Sequence, residues 1–247
     1  MRKESENAHA LSAYPSVQSA SPAHMLGAPM KVVVFGATGP TGRALVARAL
    51  EQGHDVTAFA RNPGALDVRN EKLRPFTGDV LQPATVDSAL KGQEAVLCAI
   101  GPRRRAGTGE TPVNVVSVAT RHILESMQKH GVKRLISLSS VGVGDSRGKL
   151  QAGPLMGFFQ EKILIPLMLK REFQDKELQE TLVRESGIDW VLVRPTSLTD
   201  GAARGQVRVA MGGERVPGRI ARADVAAFMV DQLTSDEYLH KAPVIGG

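Results

Sequence analysis

A run of β-branched residues, KVVVF from Lys31 to Phe35, feeds directly into GATGPTG and then into RALVARALEQG. A strand, a turn carrying Gly36, Gly39 and Gly42, and a helix opening on Pro40 form the first βα unit of a parallel sheet, and few other folds accept that order. Each glycine has its own reason. Gly36 permits the tight turn out of the strand, Gly39 lets the backbone come close to a ligand, and Gly42 lets the helix pack closely on the sheet. Pro40 fixes φ at the first helical position, where its missing N–H costs little. The helix then points free N–H groups and its positive dipole end at the turn, which suits the pyrophosphate of a dinucleotide. Ala37, Thr38 and Thr41 complete that loop and are expected to bind with the glycines. The other reading of the same pattern is a structural turn in an α/β domain that holds no nucleotide.

From Met30 onwards short apolar runs alternate with helical patterns, the signature of a parallel sheet covered on both faces. Strands are predicted at Lys31 to Gly36, Asp55 to Ala60, Leu73 to Thr77, Ala95 to Ile100, Arg134 to Ser139 and Trp190 to Arg194. Helices are predicted at Pro40 to Gln52, Pro83 to Leu90, Pro112 to His130, Arg171 to Ser186 and Arg222 to Leu233, with Gly53, Gly92, Gly131 and Gly187 as C-terminal stops. The expected fold is α/β, a Rossmann-like doubly wound parallel sheet, in one domain over residues 30–247 with a small substrate-side region near the C-terminus. Residues 1–29, rich in Ala, Ser, Pro and His without periodicity, are expected to be a disordered extension upstream of a start at Met25 or Met30.

The second strand ends TAFARNP. No Asp or Glu stands at the position about 20 residues beyond the turn, where a carboxylate would hold the ribose 2′-hydroxyl of NAD. Arg61 stands there, and a guanidinium suits the 2′-phosphate of NADP; Asn62 could add a neutral hydrogen bond. A solvated loop arginine is the alternative. The basic balance fits a phosphate-bearing small molecule: 31 Lys and Arg against 25 Asp and Glu give +6. Aromatics are only 4% of the chain and no arginine-rich pattern interleaves them, which argues against nucleic acid. The single cysteine, Cys98, lies in the apolar run AVLCAI, so a disulfide framework is excluded and a reducing, cytoplasmic compartment is expected. No apolar run reaches the ~18 residues of a membrane span. His54, His122 and His130 have neither metal spacing nor a partnering carboxylate, and no metal is expected.

Beyond these motifs, TGDVLQPATVDSALKGQEAVLCAIG, KHGVKRLISLSSVGVG, DKELQETLVRESGIDWVLVRPTSLTDG and ARADVAAFMVDQLTSDEYLHKAPV resemble the atypical short-chain dehydrogenase/reductase superfamily. Within it, the chain is similar to the NmrA-like and NAD(P)H-binding proteins, and most of all to their biliverdin-IXβ reductase, or flavin reductase, branch. The resemblance covers nearly everything after Met30. It implies that Asp79 and Val80 flank the adenine, that the fourth strand ends beside the cofactor at Ile100, Gly101 and Pro102, and that Ser139, Pro195, Thr196 and Ser197 also line the cofactor.

The resemblance also shows where the chain departs from its group. The superfamily's proton donor is a Tyr four residues before a Lys. Here the lysine is Lys176, but Glu172 occupies the tyrosine position, and the two tyrosines, Tyr14 and Tyr238, lie elsewhere. Lys176 is implied to hold the nicotinamide ribose, or else it is a solvated lysine on an exposed helix face. Ser140 matches the superfamily's active-site serine and sits at the carboxyl edge where open α/β sheets bind ligands. Ser197 stands where the reductase branch carries a histidine. Hydride transfer from NADPH to a flat conjugated acceptor such as a flavin, quinone or tetrapyrrole needs no side-chain acid, because the transferred charge is delocalised and water can supply the proton. The alternative is a non-catalytic NADP(H)-binding regulator or assembly factor, with a protein partner. Two segments could serve either reading: Arg103 to Arg105 as an attractor of anions or a solvated loop, and Leu155 to Leu169 as a substrate flap, a partner surface or core helix.

Overall fold

Apolar residues on alternating faces make the central strands. In β1 (Lys31–Phe35), Val32 and Val34 face one helical layer while Val33 and Phe35 face the other, and all four are fully buried. A strand buried on both faces is apolar throughout, which is why its sequence shows no polar alternation. The computed structural model describes residues 28–101, 114–146, 170–211, 216 and 218–247. The expectations for the tail, for Pro102, for Arg103 to Arg105 and for Leu155 to Leu169 lie outside the described residues.

After β1 come α1 (Pro40–Glu51), β2 (Asp55–Ala60), β3 (Leu73–Thr77), α2 (Pro83–Leu90), β4 (Ala95–Cys98), α3 (Val115–His130), β5 (Arg134–Leu138), α4 (Lys170–Arg184) and β6 (Asp189–Pro195). The chain finishes with β7 (Ser197–Thr199), β8 (Arg208–Ala210), β9 (Arg219–Ala221), α5 (Arg222–Asp231) and β10 (Val244–Gly246). The main sheet runs β3-β2-β1-β4-β5-β6-β10-β8, parallel in every pairing except β10 with β8. Strand order reverses between β1 and β4, so the crevice for a ligand opens at the carboxyl ends of those two strands. β7 and β9 form a separate parallel pair.

The six strands predicted from the sequence are present within a residue or two. The four later strands, of three residues each, were not predicted; β10 and β8 extend the main sheet, so the C-terminal region belongs to it. One face is covered by α1 and α5 over Val46, Val225 and Met229, the other by α2, α3 and α4 over Val86, Ile123 and Val183. Among the described residues no helix is long and apolar enough to cross a membrane.

α4 docks differently from the rest. Besides Val183, its inward face is polar: Asp175, Gln179 and Glu180 are all buried. Asp175 accepts hydrogen bonds from the amides of Val116 and Ser117, both 2.9 Å, and so caps α3 from another helix. Gln179 donates to Ser137 Oγ at 3.0 Å, Lys176 donates to the Leu138 carbonyl at 3.0 Å, and Ser139 donates to Glu180 at 2.6 Å. Three consecutive residues at the end of β5 are thus each bonded to α4.

Candidate active site

The glycine turn is enforced by its surroundings. Gly36 has φ +80°, and a Cβ there would stand 2.7 Å from the Ala99 carbonyl oxygen at the end of β4. A Cβ on Gly42 would fall 2.0 Å from the Gly36 oxygen, so only glycine lets α1 begin this close to the turn. Gly39 donates to the Gly36 oxygen at 2.9 Å, and a Cβ there would meet that oxygen alone, at 3.2 Å. Its remaining side is open to a ligand.

Pro40 opens α1; no side chain caps the helix and no carboxylate lies in its first turn. The positive end of the helix dipole is therefore free for an anion. Arg43 Nε donates to the Thr38 carbonyl at 3.1 Å, which lays a cation against the loop beside the dipole end. Ala37 and Thr41 are buried and shape the turn from within. This cradle fits a dinucleotide pyrophosphate.

Arg61 projects from the carboxyl end of β2, exposed, with no hydrogen bond or ion pair among the described residues; Asn62 follows, also exposed. Across β2, Asp79 and Val80 form the turn after β3. The Asp79 carboxylate accepts from Leu81 N at 3.0 Å and Thr85 donates to the Asp79 carbonyl at 2.8 Å, so this side chain is spent on the turn. His122 Nδ1 lies 2.9 Å from the Val80 carbonyl, a structural role for one of the histidines. His54 accepts from Met30 N at 3.1 Å; His130, against the expectation that none of these histidines has a partnering carboxylate, is bonded to Asp87 at 2.9 Å, a residue of α2 brought alongside the end of α3.

Ile100 is buried behind the crevice, and Gly101 is exposed with open space where a Cβ would be. At the end of β6, Pro195 is buried, Ser197 is exposed at the start of β7, and Thr196 Oγ1 is buried without a hydrogen-bond partner. A buried hydroxyl without a partner is costly, and its place at the expected nicotinamide end fits a polar group of the cofactor.

Lys176 is not on an exposed helix face. Its ammonium is held by the Leu138 carbonyl and, at 3.4 Å, by Gln179 Oε1, and burial lowers its pKa against the opposing pull of Cys98, Glu180, Asp175 and Glu172. Cys98 is buried beside this group, and burial pushes its thiol pKa up. Ser140 is half-buried, its hydroxyl 3.2 Å from the Val141 carbonyl. The Ser139 hydroxyl points inward to Glu180, away from the role expected for it at the cofactor.

The residues that sequence reasoning missed belong to this inward side. Arg194, 1% exposed, pairs bidentately with Glu180 (2.8 and 2.6 Å) and also binds Asp145 in the loop after β5. Gly144, at φ +58°, lies against that guanidinium, where a Cβ would approach Nη2 to 2.8 Å. A charge inside the apolar run VLVRP was the available signal, since a buried arginine demands a partner. Tyr238 packs on Phe228, ring centroids 5.4 Å apart, and burial raises its pKa to about 12.

Comparison with known proteins agrees with this geometry. A family model described as NAD(P)H-binding matches residues 36–236. Divinyl chlorophyllide a 8-vinyl-reductase of Zea mays is 28% identical over 87% of the chain and 54% of its own length. The photosystem II assembly factor Ycf39 of Synechocystis is 25% identical over 88% of the chain and 63% of its own length. The chain thus spans less than two thirds of either relative. Among solved structures, the anaerobillin reductase ChuY of Escherichia coli O157:H7 superposes with a TM-score of 0.68 at 24% identity, over 87% of this chain and 96% of that one, and shares the fold.

Proposed function

We propose that this chain, which belongs to the NAD(P)H-binding family, is an NADPH-dependent reductase that passes hydride to a flat conjugated acceptor of the flavin, quinone or tetrapyrrole kind. The observation that carries the reading is the pairing of an uncapped glycine turn with an unpartnered Arg61 on one rim, opposite a Lys176 site with no tyrosine acid. A bound nicotinamide would supply the hydride. The turn amides and the α1 dipole hold the pyrophosphate, Arg61 and Asn62 hold the 2′-phosphate, and Thr196 and Lys176 orient the nicotinamide half. Ser140 positions the acceptor or the carboxamide by a hydrogen bond. Among the described residues no side chain replaces the tyrosine, so on this reading the acceptor delocalises the incoming charge and takes its proton from water. The name of the maize relative, a reductase of divinyl chlorophyllide a, supports an acceptor of that chemistry.

The test measures NADPH oxidation by the purified chain with FMN, a quinone, biliverdin and an aliphatic ketone, beside calorimetric affinities for NADPH and NADH. Turnover with a conjugated acceptor but not the ketone is expected, with NADPH bound more tightly than NADH. Arg61→Ala should erase about tenfold or more of that preference, the size of one charge-assisted hydrogen bond. Equal affinities in the parent chain would remove the role of Arg61. Tight NADPH binding without oxidation by any acceptor would favour a cofactor-holding assembly protein, the class to which the Synechocystis relative's name points.

A further inference from the structure

At the opposite, amino-terminal edge of the sheet lies a hollow of about 270 Å³ that the reductase reading leaves unused. It opens where β1, β2 and β3 begin, beside the loop that leads from α2 into β4. Its lining includes Thr57 and Gln93 together with four cations, Lys31, Lys72, Arg74 and Lys91, against one carboxylate, Asp55. The sheet puts them there: Lys31 is in register with Asp55, and Thr57 with Arg74.

None of the four cations forms an ion pair among the described residues. Lys72 Nζ donates to the Gly53 carbonyl at 3.0 Å, and the Arg74 guanidinium stands 6.0 Å from the centre of the Phe76 ring. The nearby Glu94 carboxylate is engaged by the Lys31 amide at 2.8 Å. Like charges gathered round a concavity repel one another and concentrate anions in it. Gln93 donates to Thr57 Oγ1 at 3.0 Å, while its Oε1 is buried with no partner. The lining therefore offers several donors for an anion and one acceptor for a hydroxyl.

We propose that this hollow is a second binding site, for the phosphate group of a small soluble phosphorylated molecule. Its volume falls just below the ~300 Å³ at which ligand pockets usually begin, which admits a phosphate ester or pyrophosphate and excludes a dinucleotide. The cofactor crevice lies at the other ends of the same strands, so both can be filled at once. A lipid headgroup carries the same chemistry, but the exposed large apolar residues of the described structure, Leu81, Val118, Leu178 and Met211, do not line this hollow, and a membrane would find no apolar anchor beside it.

Inorganic pyrophosphate is the probe, titrated calorimetrically into the full chain with NADP⁺ saturating. One-site, saturable binding is expected, weakened about fivefold to tenfold by Arg74→Gln and by Lys91→Gln, the loss of one partly solvated charge-assisted contact each. Both side chains are on the surface, so unchanged thermal unfolding and unchanged NADPH affinity should accompany the loss. Three results would overturn the proposal. One is absence of saturable binding at millimolar pyrophosphate; another is binding that both variants leave intact. The third is retention on phosphatidic acid vesicles without affinity for pyrophosphate.

Discussion

Removing the Glu180 carboxylate should cost more stability than any surface change in this chain. Arg194 is 1% exposed and Glu180 4%, and two hydrogen bonds of 2.8 and 2.6 Å join them. In Glu180→Ala the guanidinium keeps only Asp145, whose side chain is 62% exposed, and the Ser139 hydroxyl loses its acceptor. Breaking a buried pair from one side costs about 3–5 kcal/mol, because the surviving charge stays desolvated. For a domain of roughly 200 residues each kcal/mol lowers Tm by about 2–4 °C, so a fall of about 6–20 °C is expected. Urea unfolding followed by circular dichroism gives the free energy and calorimetry gives Tm. Replacing both partners, Glu180→Leu with Arg194→Met, should recover much of the loss, since no charge is then left buried. A loss below about 1 kcal/mol in Glu180→Ala, or a double variant less stable than the sum of its single changes, would refute the claim that desolvation of Arg194 sets the magnitude.

Three further outcomes follow from the same geometry. Gly42→Ala, which drives a Cβ to 2.0 Å from a backbone oxygen, should weaken NADPH binding by at least about tenfold and lower Tm, whereas Gly101→Ala, with open space at its Cβ, should leave Tm unchanged; calorimetry reads both. Ser140→Ala should slow turnover with a flavin by about ten to a hundredfold, as for one lost hydrogen bond, and a loss of several orders would make the serine an essential acid or nucleophile. Burial, with the charge of Lys72 adding to it, lowers the His54 pKa below 6.5, and its Nδ1 must stay unprotonated to accept from Met30. Between that lowered pKa and 6.5 the unfolded chain binds more protons, so stability should fall as the pH drops through this window, and His54→Gln should flatten the slope in denaturant titrations.

What was legible in the sequence was whatever the chain states locally. Gly39 and Gly42 announce the turn because their steric demand comes from Gly36 and acts within seven residues, and β1, β2, β4, β5 and β6 announce themselves as largely apolar runs long enough to read. The strands β7 to β10, three residues each, carry no periodicity and exist only through the pairing that tertiary structure provides. Lys176 shows why the acid-poor half of the site was harder to read. α4 carries a polar residue at nearly every position, a pattern that signals a solvated helix, yet Asp175, Gln179 and Glu180 are buried. Their partners lie far away in sequence: α3 amides for Asp175, Ser137 for Gln179, Arg194 for Glu180. No local pattern encodes such pairs.

That asymmetry divides the site into two halves with different physics. The dinucleotide half is fixed by close backbone approach, with Gly36 against Ala99 and Gly42 against Gly36, and apolar clusters back both faces of β1. At Gly36 and Gly42 its shape is a matter of excluded volume and tolerates no added atom. The half that carries Ser140 and Lys176 is fixed by directional bonds, because α4 meets the end of β5 through Gln179, Lys176 and Glu180. Hydrogen bonds tie the helix to one register, since a shift along its axis would strip the part-buried Lys176 and the buried Glu180 of their partners and leave Arg194 with Asp145 alone. Substitutions on this side therefore act through geometry: they move Ser140 and Lys176, the residues of the proposed reaction site, while the glycine turn stays in place. On the proposed reading, recognition of the cofactor phosphates, assigned to Arg61 and the glycine turn, is accordingly separable from the α4–β5 contact, which carries Lys176 and borders Ser140.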